Sequence, residues 1–182
     1  MSIIAAVVRD GKVYMGSDSH CTANVSYLTA PKVWKVGEVL YGIVGNADAC
    51  SAVQHGAKFP GSVVNARSGG DVREDVDLER WVYHSILPRV KESMAKAGVA
   101  EPVFNLLVGL RGRLFILEEN SAFEVMRPYA AIGSAEQIAY GALYAKMSSR
   151  GAKPSAENIV RCAIEACNEF SPDCGEPVVV RS

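Results

Sequence analysis

The chain predicts an α+β fold: two stacked antiparallel sheets, each covered on its outer face by helices. Three observations lead there. Short β-rich runs come in pairs joined by tight-turn dipeptides, which argues for hairpins rather than parallel crossovers. The helical segments come in two pairs, each amphipathic, so two outer faces need covering. Finally, the expected order is four strands, two helices, three strands, two helices and one strand. That order does not build a doubly wound parallel sheet, whereas a four-layer αββα sandwich satisfies all three observations.

Residues 3–8 and 12–16 are apolar and β-branched, and they flank Arg9-Asp10-Gly11, where Asp-Gly favours a hairpin turn. Residues 33–36 and 39–44 repeat the arrangement around Gly37-Glu38. Helical spacing follows at Ala49, Cys50, Val53 and Ala57. A second helix is expected from Asp77 to Ala97, with Leu78, Trp81, Val82, Val90 and Met94 turned inward. Between these helices, residues 60–75 carry Ser68-Gly69-Gly70 and alternating charges, the pattern of a surface loop. Strands are expected at 104–110, 113–117 and 123–126, with turns at Gly112 and Glu119-Asn120. Ser134 opens the third helix, which places Ala135, Ile138, Ala139 and Ala142 on one face. Pro154-Ser155 opens the fourth, with Ser155 as N-cap and a stripe of Ile159, Cys162, Ala163, Ala166, Cys167 and Phe170. Residues 177–180 form the last strand.

The 182 residues suit one domain over 1–182 with a proper core. A net charge of −1 argues against nucleic acid or an anionic membrane as the main partner, because both need a concentrated basic surface. No apolar stretch is long enough to span a bilayer. The first strand lacks a basic leader and ends early at Arg9-Asp10-Gly11, so no signal peptide is expected and a cytoplasmic location is. The five cysteines are odd in number and contain no CxxC pair, which argues for a reducing compartment and against a zinc site.

The chemistry-bearing residues cluster early. Ser2 is small enough for methionine aminopeptidase to remove Met1, so the mature chain is expected to begin at Ser2 without a separate propeptide. The hydroxyl and an α-amine titrating at roughly pH 7.7–8 would then share one residue, a nucleophile that carries its own base. Asp18 ends the second strand, and Lys32 follows shortly after.

Six local motifs carry a family resemblance: the hydroxyl residue behind Met1, Gly11-Lys12-Val13, Gly16-Ser17-Asp18, Ala30-Pro31-Lys32-Val33, the run from Tyr41 to Asp48, and Ala131-Ile132-Gly133-Ser134. Their order and spacing resemble proteasome β-subunits, and more closely the peptidase subunit of the bacterial two-component ATP-dependent protease. The resemblance implies the N-terminal-nucleophile hydrolase fold and peptide-bond hydrolysis. Ser2 resembles the nucleophile, which is usually Thr in the family, and Asp18 and Lys32 resemble its acid and basic partners. Gly42 resembles the oxyanion-hole residue, and Ser134 the residue that bonds the terminal amine. A supporting acid aligns with Glu169, with Asp173 nearby. Cys21 and Thr22 resemble the substrate-pairing strand. Ala30, Leu40 and Val44 match positions around the first specificity pocket and imply cleavage after hydrophobic residues. The resemblance further implies peptide or unfolded-protein substrates, a homo-oligomeric assembly of two stacked six- or seven-membered rings, an ATP-dependent unfoldase partner, and no cofactor or metal.

Competing readings are weaker on chemical grounds. Gly42-Ile43-Val44-Gly45 is not a dinucleotide fingerprint. Asp18 and His20 lack further metal ligands nearby, since His55 and His84 fall on other helices. A triad drawn from residues 17–20 fails because adjacent strand residues point to opposite faces. Two functional rivals share the fold: a catalytically inactive ring-forming subunit and a small-molecule amidase with the same kind of nucleophile.

Overall fold

The computed structural model describes residues 2–22, 26–28, 32–63, 77–149 and 154–182. The chain runs β1 (Ile3–Arg9), β2 (Lys12–Ser17), β3 (His20–Thr22), β4 (Ser26–Leu28), β5 (Val33–Val36) and β6 (Val39–Gly45). Three helices follow, α1 (Ala47–Gly56), α2 (Leu78–Ser85) and α3 (Leu87–Lys96). Next come β7 (Phe104–Leu110), β8 (Arg113–Leu117), β9 (Ala122–Glu124) and β10 (Tyr129–Gly133). Helices α4 (Glu136–Met147) and α5 (Ala156–Phe170) precede the last strand, β11 (Val179–Arg181).

Among the described residues the strands form a four-stranded sheet, β10-β1-β2-β11, and a five-stranded sheet, β5-β6-β7-β8-β9. A separate ribbon pairs β3 with β4, and every pairing is antiparallel. The alternation of side chains along β1 divides the core. Ile3, Ala5 and Val7 pack under α4 and α5, whereas Ile4 and Ala6 face the second sheet across Met15, Val33 and Leu107. Both faces of β1 are therefore covered, which is why the strand reads as a continuous apolar run. On the far side, Val39, Tyr41 and Ile43 of β6 pack under α1, α2 and α3. Three apolar layers thus separate four structural layers, the αββα sandwich.

Ser155 caps α5, its side chain accepting a hydrogen bond from Asn158 N at 3.2 Å, as its place before the helix predicts. Four expectations need correcting. The helix expected over 77–97 is two helices meeting at Ile86, because Pro88 near the start of α3 lacks an N–H and crowds the preceding turn. Strand β10 was not foreseen: Tyr-Ala-Ala-Ile shows no polar alternation because both of its faces are buried. The β3–β4 ribbon was not foreseen as a hairpin either. Phe170 is 74% exposed, and the buried stripe of α5 runs instead through Ala156, Ile159, Val160, Ala163, Ile164 and Cys167. Most of the loop expected at 60–75 lies outside the described residues. Among those described, no helix is long and apolar enough to cross a membrane.

Candidate active site

Ser2 precedes β1, and β1 is the strand held between β2 and β10. Ladder pairs Ile4–Ser17 and Ile3–Gly133 therefore place the ends of β2 and β10 on opposite flanks of Ser2. Asp18 follows β2 directly and is fully buried. Its Oδ1 accepts hydrogen bonds from Ile3 N at 3.0 Å and from Lys32 Nζ at 2.8 Å, and its Oδ2 accepts one from His20 N at 3.2 Å. Lys32, just before β5 and 7% exposed, also donates to His20 O at 2.5 Å. A buried ion pair is costly unless hydrogen bonds satisfy both partners, and here three donors converge on the carboxylate. The arrangement ties a fixed positive charge to the residue next to Ser2.

The opposite flank is built from backbone. Ser134 N donates to Ser2 O at 3.1 Å. Gly133 has φ +122°, and a Cβ there would lie 2.0 Å from Ser2 O, so glycine is required for the two chains to meet. A cavity of about 390 Å³ opens on this flank, lined by Ser2, Val44, Gly45, Asn46, Phe104 and Ser134 among others. Gly45 has φ +153°, and a Cβ there would meet Val103 O at 2.0 Å. Ile43 N donates to Lys32 O at 3.2 Å. By strand alternation the Gly45 N–H turns to that same side, beyond the Lys32 bond.

Two thiols pack near the ion pair. Burial, with the Asp18 carboxylate adding to it, pushes the Cys174 thiol up to about 11. Burial, then Cys174 and Asp18, pushes Cys167 up to about 12. Both stay protonated at neutral pH and behave as small apolar wall residues.

The structure brings Ser2, Asp18, Lys32, Ser134 and Val44 to one end of the sandwich. Gly42 does not line the cavity at Ser2. It sits mid-strand, paired with Val33 and Leu107, and a Cβ there would meet Met15 Sδ at 2.9 Å in the inter-sheet layer. Leu40 is likewise buried between the sheets, and it lines a separate cavity with Lys12 and Arg111. Ser134 is exposed and does not cap α4, whose N-cap is Ala135. Glu169 is exposed near the end of α5, and Asp173, half-buried, donates its N–H to Ser171 Oγ at 3.4 Å. Cys21 and Thr22 lie in β3, and Ala30 lies outside the described residues. The sequence reading did not single out Asn46 or Val103, which the structure places around the cavity at Ser2. The paired glycines 42 and 45 pointed to the right strand end, but nothing local links Asn46 to Val103, which lies 57 residues away.

No protein-family model matches the chain, and no curated protein does. Solved structures do. Thiobacillus denitrificans BPH in complex with epoxomicin is 17% identical, with a TM-score of 0.73 over 98% of this chain and 96% of that one. The eukaryotic HslV of Trypanosoma brucei is 19% identical, with a TM-score of 0.65 over 98% and 97%. The Anbu complex of Pseudomonas aeruginosa, solved as a helical assembly, is 15% identical, with a TM-score of 0.66 over 98% and 80%. The fold of this chain is the one these structures share, a four-layer αββα sandwich.

Proposed function

We propose that the chain is a proteasome-like peptidase with Ser2 as its N-terminal nucleophile once Met1 is removed. The observation that carries this reading is the buried Asp18 carboxylate, which accepts from both Ile3 N and Lys32 Nζ beside Ser2. The Lys32 ammonium disfavours a second positive charge nearby and so keeps the Ser2 amine a free base. That amine takes the hydroxyl proton as Oγ attacks the peptide carbonyl. In this reading Gly45, rather than Gly42, supplies the N–H for the developing oxyanion. The C–N bond breaks, the proton passes to the leaving amine, and an ester to Ser2 remains. Water, deprotonated by the same amine, then releases the acyl group as a carboxylate. Serine in place of the usual threonine keeps the hydroxyl but lacks the methyl that restricts its rotamer.

The likeness to BPH supports epoxomicin as a probe, and the likeness to Anbu supports a homo-oligomeric assembly. An ATP-dependent unfoldase feeding unfolded protein to that assembly follows the same resemblance. The test is intact mass with and without epoxomicin. Loss of Met1 and a one-to-one adduct, absent in Ser2→Ala, are expected. Retention of Met1 in active protein, or an adduct that persists in Ser2→Ala, overturns the assignment of Ser2. Light scattering that finds only monomer at micromolar concentration overturns the assembly.

A further inference from the structure

Asp18 is saturated with hydrogen bonds, but the residue before it is not. Among the described residues, three buried side-chain atoms have no hydrogen-bond partner: Ser17 Oγ, His20 Nδ1 and Asn168 Oδ1. Ser17 is the sharpest case, because the whole residue is 0% exposed, whereas His20 and Asn168 reach solvent in part. A buried hydroxyl without a partner lowers stability relative to alanine at the same place. Its presence therefore points to a partner that the working site supplies.

Strand alternation says where the Ser17 hydroxyl lies. A Cβ on Gly16 would meet Val160 and Ile164 of α5, so position 16 faces the helices. Met15 and Ile4 face the other way, into the layer between the sheets, and Ser17 lies on their side. There it is paired with Ile4, the last pair of the β1–β2 ladder at this end. Ser2, two residues before Ile4, turns to the same side, which makes Ser17 its diagonal neighbour across the ladder. Diagonal neighbours have Cα atoms about 7–8 Å apart and Cβ atoms closer. Two hydroxyls turned toward each other at that spacing are within the span of one bridging water. The residues paired with Ser17, Ile4 and Val179, offer its side chain nothing polar.

The nucleophile explains why such a contact matters. The branch at Cβ restricts a threonine side chain, whereas serine turns more freely among three staggered rotamers. Attack with the residue's own amine as base needs Oγ held on the amine side. We infer, on the basis of the peptidase reading above, that Ser17 is a positioning residue: its hydroxyl, through one bridging water, holds Ser2 Oγ in the attacking rotamer. It thereby takes over the restraint that a methyl group would supply.

Ser17→Ala tests this, since it deletes one oxygen from a packed position. With a fluorogenic peptide, kcat should fall about tenfold, the size of one lost rotamer restraint and one lost hydrogen bond, and KM should stay within about twofold. The urea midpoint should stay the same or rise, because an unpaired polar atom leaves the core. The decisive comparison uses Ser2→Thr. In that background the methyl restrains the nucleophile, so Ser17→Ala should cost no more than about twofold in kcat. An equal cost in both backgrounds overturns the inference, as does wild-type kcat in Ser17→Ala. So does lost activity accompanied by a lower midpoint, which would make Ser17 a packing residue. Failure of the peptidase reading looks different: hydrolysis that survives Ser2→Ala displaces the nucleophile itself, whatever Ser17 does.

Discussion

The two ends of the sandwich carry charged side chains of similar type in opposite circumstances. At the Ser2 end, Lys32 and Asp18 meet at 2.8 Å with side-chain exposures of 9% and 0%. At the other end, the hairpin turns at Gly11, Gly37 and Gly112 gather around a cavity of about 320 Å³ lined by Lys12, Lys35, Glu38 and Arg111. There Arg111 and Glu38 meet at 3.4 Å with exposures of 48% and 40%. The exposed pair is solvated, screened by salt and free to rearrange. The buried pair is fixed by further hydrogen bonds to Ile3 N, His20 N and His20 O. Charge alone therefore does not distinguish a site from a surface. What distinguishes the Ser2 end is that its charges are out of water and tied by hydrogen bonds to the residue next to Ser2.

The comparison breaks most sharply on chemistry. Ser2→Ala should lower hydrolysis of a hydrophobic fluorogenic peptide by a factor on the order of 10⁴ or more, with an unchanged denaturation midpoint. A retained rate would move the chemistry elsewhere. Lys32→Ala should come next, costing roughly 10²–10⁴ in rate because the terminal amine then stays protonated near neutral pH. It should also destabilise the fold by about 3–5 kcal/mol, since Asp18 is left buried without its cation. Urea titration reads that second effect directly. The double variant Ser2→Ala/Lys32→Ala should be scarcely less active than Ser2→Ala alone, as expected for groups acting as a unit.

The thiols sharpen the same contrast through pH. Unfolded cysteine loses its proton near pH 8.5, whereas Cys174 and Cys167 hold theirs to about 11 and about 12 in the fold. Above roughly pH 8.5 the folded state therefore binds more protons than the unfolded one, and stability falls as pH rises toward those values. Each thiol contributes a slope of at most about 1.4 kcal/mol per pH unit. Cys174→Ala should make the alkaline loss shallower in unfolding measured from pH 7 to about 10. An unchanged slope would mean that the Cys174 thiol is not held protonated. The smallest effect belongs to the far end, where Arg111→Ala should change stability by only about 0–1 kcal/mol and leave hydrolysis untouched. A large effect on rate there would erase the distinction between the two ends.

Much of this molecule is legible in local pattern. The Asp10-Gly11 and Gly37-Glu38 turns each mark a hairpin, and β1 with β2 and β5 with β6 pair as those turns require. Ser155 announces α5, and the apolar periodicity of two helix sets announces two covered faces. Ser2, Asp18 and Lys32 were legible as candidates because strand ends and motif spacing are local properties; the β1–β2 ladder then brings Asp18 beside Ser2, and the Lys32–Asp18 contact adds the third from the other sheet. What the sequence could not decide depends on contacts between distant segments. Whether Gly42 or Gly45 faces the cavity turns on where β6 leaves its pairing with β5, a matter of register rather than composition. The sharp end of α2 follows from Pro88 and could have been read locally. The exposure of Phe170 could not, because it depends on what the last turn of α5 packs against. Tertiary structure alone decided that Asn46 fastens Val103 across 57 residues: a hydrogen bond between segments that far apart leaves no periodic trace in the chain, and only the closing of β6 against β7 brings its donor and acceptor within reach.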